Sequence, residues 1–179
     1  TIDPSPHDAS KAYFAGYRTL LGDFRPFIYK TEDYGESWTL LTPGDNGIPS
    51  HHPTRAVRED PVREGLLYAG TEFGMFVSFD DGDSWEQFQL NPPRTPITDI
   101  KAHQNDLVLS TMGRAFWIMD NITPLRQRGE AIEAGPAAGG PNFLEPLDAY
   151  RIRGGGGGGG GSPDQPRYSR RGAELDYML

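Results

Sequence analysis

Short runs of strand-forming residues recur along the first two thirds of the chain, each cut off by Gly, Pro, Asp or Ser. The clearest set opens with Ala56-Val57-Arg58-Glu59-Asp60 and stops at Pro61. Leu66-Leu67-Tyr68-Ala69-Gly70, Met75-Phe76-Val77-Ser78 and Trp85-Glu86-Gln87-Phe88-Gln89-Leu90 follow in turn. Short apolar runs bounded by turn formers predict strands rather than helices. An upstream set has the same look: Lys11-Ala12-Tyr13-Phe14-Ala15, Phe27-Ile28-Tyr29-Lys30 and Trp38-Thr39-Leu40-Leu41. Its first strand must lie at or before Thr1-Ile2, so this unit is expected to be clipped. A third set runs through Ile97–Ala102, Leu107–Ser110 and Ala115–Met119.

Two of these units carry the same turn. Residues 31–38 read Thr31-Glu32-Asp33-Tyr34-Gly35-Glu36-Ser37-Trp38, and residues 78–85 read Ser78-Phe79-Asp80-Asp81-Gly82-Asp83-Ser84-Trp85. The copies start 47 residues apart and share a hydroxyl residue, an Asp, a Gly and a Trp in register. Asp33 and Asp80 can fold back onto backbone N–H groups just ahead, as in an Asx-turn. Gly35 and Gly82 can supply positive φ, Thr31 and Ser78 can bond the turn, and Trp38 and Trp85 can lie across it. In the third unit Asp120 holds the Asp position, but Ile122 replaces the Gly and no Trp follows. Four short antiparallel strands in about 45 residues make one β-propeller blade. The expected fold is therefore all-β, with about three four-stranded blades over residues 1–128. Three blades do not close a ring of roughly 4–8, so a C-terminal piece of a larger propeller is expected, ahead of a part that requires a partner chain.

Beyond Arg128 the pattern changes. Residues 129–142 are rich in Gly, Ala and Pro and read as a connector. Residues 143–179 read as the incomplete start of a second, sandwich-like β-domain, with strands at Leu147–Arg153 and Ala173–Leu179. Between them Gly154–Gly161 and Ser162 read as a flexible linker. A phosphate loop is a poor fit, since no Lys-Ser/Thr or helix pattern follows the glycines.

The net charge of −8 argues against a nucleic-acid partner, which needs a basic patch. The chain has no cysteine, so disulfides and thiolate metal sites are excluded. No run approaches the ~18 apolar residues of a membrane span. The chain opens on Thr1 without a charged-then-apolar leader, which suits a mature or truncated chain.

The doubled turn resembles the Asp-box, or BNR, repeat of sialidases, sortilin-type receptors and xyloglucan-cleaving hydrolases. Further segments narrow the likeness: Phe24–Thr31, Val57-Arg58-Glu59-Asp60-Pro61, Leu66–Glu72, Gly113–Asp120 and Pro124-Leu125-Arg126-Gln127. They look like the end of the propeller in bacterial glycosyl hydrolase BNR-repeat, or sortilin-N-terminal-like, proteins. The resemblance implies a long secreted or periplasmic protein and a structural role for the boxes. It does not establish hydrolysis.

Antiparallel connectivity puts the box turns and the loops joining strands one and two at one end of the blades. The opposite end is the usual ligand surface of propellers, here Gly16–Arg25, Asp45–Arg55, Thr71–Gly74, Asn91–Pro96 and Thr111–Arg114. Its equipped residues are Asp23, Arg25, His51, His52, Arg55, Glu72, Phe73, Arg94 and Arg114. A glycosidase needs two facing carboxyl groups, and Glu72 and Asp23 are the nominees for catalysis. Against that, Glu72 can pair with Arg114 or Arg55 as a clamp between blades. A sialidase-type triad could be drawn from Arg25, Arg55 and Arg114, without support from their spacing. Adjacent His51 and His52 point opposite ways in an extended segment, so they read as a solvated loop, not a metal site. Asp80-Asp81-Gly82-Asp83 resembles a calcium loop only superficially and is accounted for by the box. Trp117 and Phe116 read as core between blades, and Phe73 as a platform for a sugar ring.

The leading expectation is a recognition module that binds a polysaccharide or polypeptide and docks with the rest of its own propeller. The rival is a glycoside hydrolase whose carboxylates lie largely outside this segment. A stand-alone structural protein is a third possibility. No cofactor and no metal are expected.

Overall fold

The computed structural model describes residues 1–88, 94–134, 142–148 and 176–178. The chain divides into two compact units, Thr1–Ile122 and Thr123–Leu179. The first holds three antiparallel sheets in succession, which are propeller blades in order and connectivity. Blade 1 is β1 (Ile2–Pro4), β2 (Ala12–Arg18), β3 (Asp23–Thr31) and β4 (Thr39–Leu40). Blade 2 is β5 (Thr54–Glu59), β6 (Leu67–Thr71), β7 (Gly74–Ser78) and β8 (Glu86–Phe88). Blade 3 is β9 (Ile97–His103), β10 (Asp106–Thr111) and β11 (Phe116–Met119), with no fourth strand among the described residues. Blade 1 is not clipped: Ile2 pairs with Phe14 and Pro4 with Ala12, so three residues suffice for its innermost strand.

Blades 1 and 2 meet through one apolar layer. Tyr13, Ala15, Ile28, Leu41 and Ile48 face Val57, Leu67, Ala69, Phe76 and Trp85. The alternation of β2 delivers Tyr13 and Ala15 to this layer and turns Phe14 away. Each large side chain here contributes about 1.5–3 kcal/mol by leaving water. Blade 3 comes close at Gly70, where a Cβ would meet Ile97 Cγ2 at 2.9 Å. Arg58 stitches the three innermost strands: it lies 3.5 Å from Asp3 and 2.7 Å from Asp99, and its Nε donates to the Ile100 carbonyl.

The two box turns are superposable in their hydrogen bonds. Thr31 Oγ1 donates to Asp33 at 2.8 Å and accepts from Gly35 N at 2.9 Å, and Ser78 repeats both bonds at 2.8 Å. The Asp carboxylates reach further than the Asx-turn pattern implies. Asp33 accepts from Ser37 N and Oγ, and Asp80 from Ser84 N and Oγ, four residues ahead. The Ser37 hydroxyl and N–H, with Thr31, hold the Asp33 carboxyl down to about 2. Gly35 and Gly82 take φ of 91° and 95° as expected.

The tryptophans differ. Trp38 stays beside its own Gly35, whereas Trp85 is buried and donates its indole N–H to Leu41 of blade 1. In blade 3 the box is replaced. Asn121 takes the positive φ, and its N–H is held by the Asp106 carboxylate. Phe116 is not core. It lies on the uncovered side of β11 and is 74% exposed, while Trp117 turns back and donates to the Arg114 carbonyl.

In the second unit the connector pattern hides a helix, α1 (Thr123–Ala134), with Pro124 tolerated in its first turn. Two short strands, β12 (Asn142–Phe143) and β13 (Tyr177–Met178), pair antiparallel. The Gln127 amide holds the backbone of Glu145 by two hydrogen bonds of 2.9 and 2.6 Å. The glycine linker, most of the strand expected at 147–153 and the start of the one at 173–179 lie outside the described residues.

Candidate functional site

Each box turn is tied to the loop between the first two strands of its blade, by Tyr34 N to Ser10 O and Asp81 N to Gly65 O. The opposite end carries the β2–β3 connection, the Glu72–Phe73 turn, the β10–β11 turn and the segments entering β5 and β9. One assignment changes. Asn46 lies at the box of blade 2, accepting from Trp85 N and lying 3.3 and 3.1 Å from the Gly82 and Asp83 carbonyls. The segment from Asp45 therefore begins on the box side, and Pro53 marks its arrival at the other end, where its carbonyl accepts from Glu72 N.

Both nominated carboxylates are held by arginines. Asp23 receives a two-point contact from Arg25, at 3.0 Å from Nε and 2.9 Å from Nη2, which keeps its carboxyl at about 2. Arg18 stands 3.8 Å away on the same carboxylate. Glu72 accepts from Arg55 at 2.6 Å, and the Arg55 guanidinium sits 5.0 Å over the ring of Tyr17 in blade 1. The clamp expected for Glu72 forms with Arg55 rather than Arg114, and it reaches the neighbouring blade through Tyr17. Arg25 and Arg55 are thus each committed to a carboxylate. Arg94 and Arg114 are exposed, with no carboxylate within ion-pair distance among the described residues.

Of the two histidines His51 is exposed, as expected of a solvated loop, whereas His52 is buried. His52 N donates to Pro49 O at 2.9 Å, and this turn brings the rings edge to face, 4.8 Å apart. His52 packs 4.8 Å from Phe73 and 5.7 Å from Phe76 and is 9% exposed, with no hydrogen-bond partner for Nδ1. Burial, then the charges of His51 and Arg94, hold its imidazolium form below the usual range. Among the described residues no group of three metal-ligating side chains gathers.

A stability dependence follows. Because the folded state lowers the His52 value, the unfolded chain binds the proton more readily in that window. Stability is full above about 6.5 and declines as pH falls below it. Urea midpoints between about pH 7 and pH 5 should show the decline, and His52→Gln should flatten it.

Of the exposed apolar side chains at this end, only Phe73 was expected from the sequence. Leu20 and Leu21, on a single turn of 3-10 helix closed by Gly22, are 95% and 73% exposed. Phe24, Tyr17, Phe73 and Met112 are also exposed, so all three blades contribute. The available signal was Thr19-Leu20-Leu21, apolar residues within a segment already read as a loop.

No family model matches the chain, and no curated protein matches it. Solved structures do. YCF48 bound to D1 peptide is similar at 20% identity over 67% of this chain and 36% of that one, with a TM-score of 0.51. A gluconolactonase from Xanthomonas campestris is 15% identical over the same shares, with a TM-score of 0.45. The chain spans 36% of the length of each. Together with the succession of sheets, the likeness identifies Thr1–Ile122 as β-propeller blades.

Proposed function

We propose that this chain is a recognition segment of a larger, extracytoplasmic Asp-box propeller of the sortilin-like kind, binding a polypeptide or polysaccharide on the end away from the boxes. One observation carries the reading. The box-free end exposes Leu20, Leu21, Phe24, Tyr17, Phe73 and Met112, while its two carboxylates are locked to arginines. The box side exposes Tyr34, Trp38 and Val62, but the larger set lies at the box-free end, and exposed apolar groups suit contact with another chain. General acid catalysis needs a protonated carboxyl near neutral pH, and Asp23 at about 2 stays ionised. That a propeller of similar fold, YCF48, is found bound to a peptide agrees with this reading.

The test is a panel of soluble glycans and peptides, scored for binding and for released reducing ends. Binding without turnover is expected. Glycan turnover that disappears in Glu72→Gln or Asp23→Asn would overturn the reading in favour of a glycoside hydrolase.

A further inference from the structure

The two ends of the blades carry opposite charge. The box-side segments 5–11, 31–38, 60–66, 78–85 and 103–106 hold ten carboxylates against Lys11 and Arg63. At the box-free end, segments 16–25, 51–55, 71–74, 94–96 and 111–115 hold five arginines against Asp23 and Glu72. An acidic protein thus presents a basic end, and that end also exposes more large apolar side chains than the box side, where Tyr34, Trp38 and Val62 are exposed.

The pairing sharpens the contrast. Asp23 is neutralised by Arg25 and Glu72 by Arg55, so no carboxylate there is left to attract a cation. Arg94, entering blade 3, and Arg114, on its β10–β11 turn, have no carboxylate partner among the described residues. The buried imidazole of His52 packs 4.8 Å from the exposed Phe73 ring and 5.7 Å from Phe76, and burial, His51 and Arg94 disfavour its charged form. Further out stand Leu20, Leu21 and Phe24 of blade 1 and Met112 of blade 3.

Resting on the recognition reading above, we infer that the box-free end binds an acidic polypeptide segment bearing aliphatic or aromatic side chains. Its carboxylates pair with Arg94 and Arg114, and its apolar side chains rest on Leu20, Leu21, Phe24 and Phe73. Arginine is suited to this because its planar fork takes a carboxylate by two parallel hydrogen bonds. The aliphatic part of the surface selects a polypeptide over a polyanionic glycan. Leucine and methionine side chains match apolar side chains, whereas sugar rings stack on aromatic faces. The acidic box side repels the same ligand, which fixes the end that it approaches.

The experiment is fluorescence anisotropy on the protein with four labelled probes. These are a peptide alternating Glu with Leu and Phe, the same peptide with Lys for Glu, polygalacturonate and neutral dextran. The Glu peptide should bind best and weaken as salt rises. The double variant Arg94→Ala/Arg114→Ala should lose about tenfold in affinity for it. Both side chains are exposed, so an unchanged melting curve shows that folding is intact. Preference for polygalacturonate, dextran or the Lys peptide, or Glu-peptide binding untouched by the double variant, overturns the inference and leaves the recognition reading standing. Binding of none of these, nor of any member of the wider panel, overturns both.

Discussion

Gly47→Ala should unfold the contact between blades 1 and 2, lowering stability by at least about 3 kcal/mol. Gly47 sits at φ 117°, a backbone conformation essentially limited to glycine. A Cβ there would press into the Trp85 carbonyl, 2.7 Å from its carbon and 3.1 Å from Cα. These are backbone atoms and cannot swing aside. The neighbouring bond from Trp85 N to Asn46 O, at 2.8 Å, would break with them, and Trp85 belongs to the apolar layer. Gly44→Ala is the matched control. It has φ 110° but nothing nearer than Ser50 Cβ at 3.8 Å, so it reports strain alone. Urea melts of the two variants should differ by the crowding, with Gly47→Ala the worse. Equal midpoints would show that the loop yields.

Asp81→Asn should cost about 2–4 kcal/mol. Asp81 lies in the second box, but its carboxylate points into blade 1, where it meets Lys11 at 3.1 Å, Lys30 at 2.9 Å and the Tyr13 hydroxyl. Glu59 completes the cluster from the β5 side and is itself fully buried. Burial opposes the Asp81 charge, yet the hydrogen bonds from Tyr13, Lys30 and Lys11 hold its carboxyl below the usual value. Burial likewise opposes Lys11, and its bonds to Asp81 and Glu59 more than offset this and raise it. Removing one anion leaves a buried lysine short of a partner, which is where the penalty arises. Asn keeps the size and tolerates the φ of 59° at this position. The same lowered value predicts acid sensitivity. This contribution is present above about 3.9 and fades as pH falls toward the folded value. A double-mutant cycle with Lys30→Met should show coupling, and additive losses would rule the cluster out as a unit.

The strands and box turns were legible because they rest on local chemistry: period-two alternation, and Asp, Gly and hydroxyl residues at fixed offsets. β2, β3, β5, β6, β7, β9 and β10 all fall on the apolar runs that predict them. What was not legible depends on contacts remote in sequence. Trp38 and Trp85 occupy the same box position, but only Trp85 has a blade in front of it among the described residues. His52 looked solvated because alternation in an extended segment was assumed, and the turn at Pro49 removes that premise. Asp81, between two box residues, read as part of the clip, although its carboxylate meets Lys11, Tyr13 and Lys30 of blade 1. Helix α1 (Thr123–Ala134) was masked because its second half, with Gly129, Ala131 and Ala134, falls in the stretch 129–142 that reads as a connector. At the candidate site the loops and their arginines were predictable from topology. The clamp on Glu72 was expected with Arg114 or Arg55, but the choice of Arg55, the pairing of Arg25 with Asp23, and the lack of a carboxylate partner for Arg94 and Arg114 among the described residues were not.

Recognition by the end away from the boxes leaves a signature in backbone exchange. Amide hydrogen exchange, with and without whichever panel polymer binds tightest, tests it most directly. Slowed exchange is expected in 16–25, 51–55, 71–74 and 111–115, with the box turns 31–38 and 78–85 unchanged. Protection confined to the box turns, with the opposite loops exchanging as before, would contradict it.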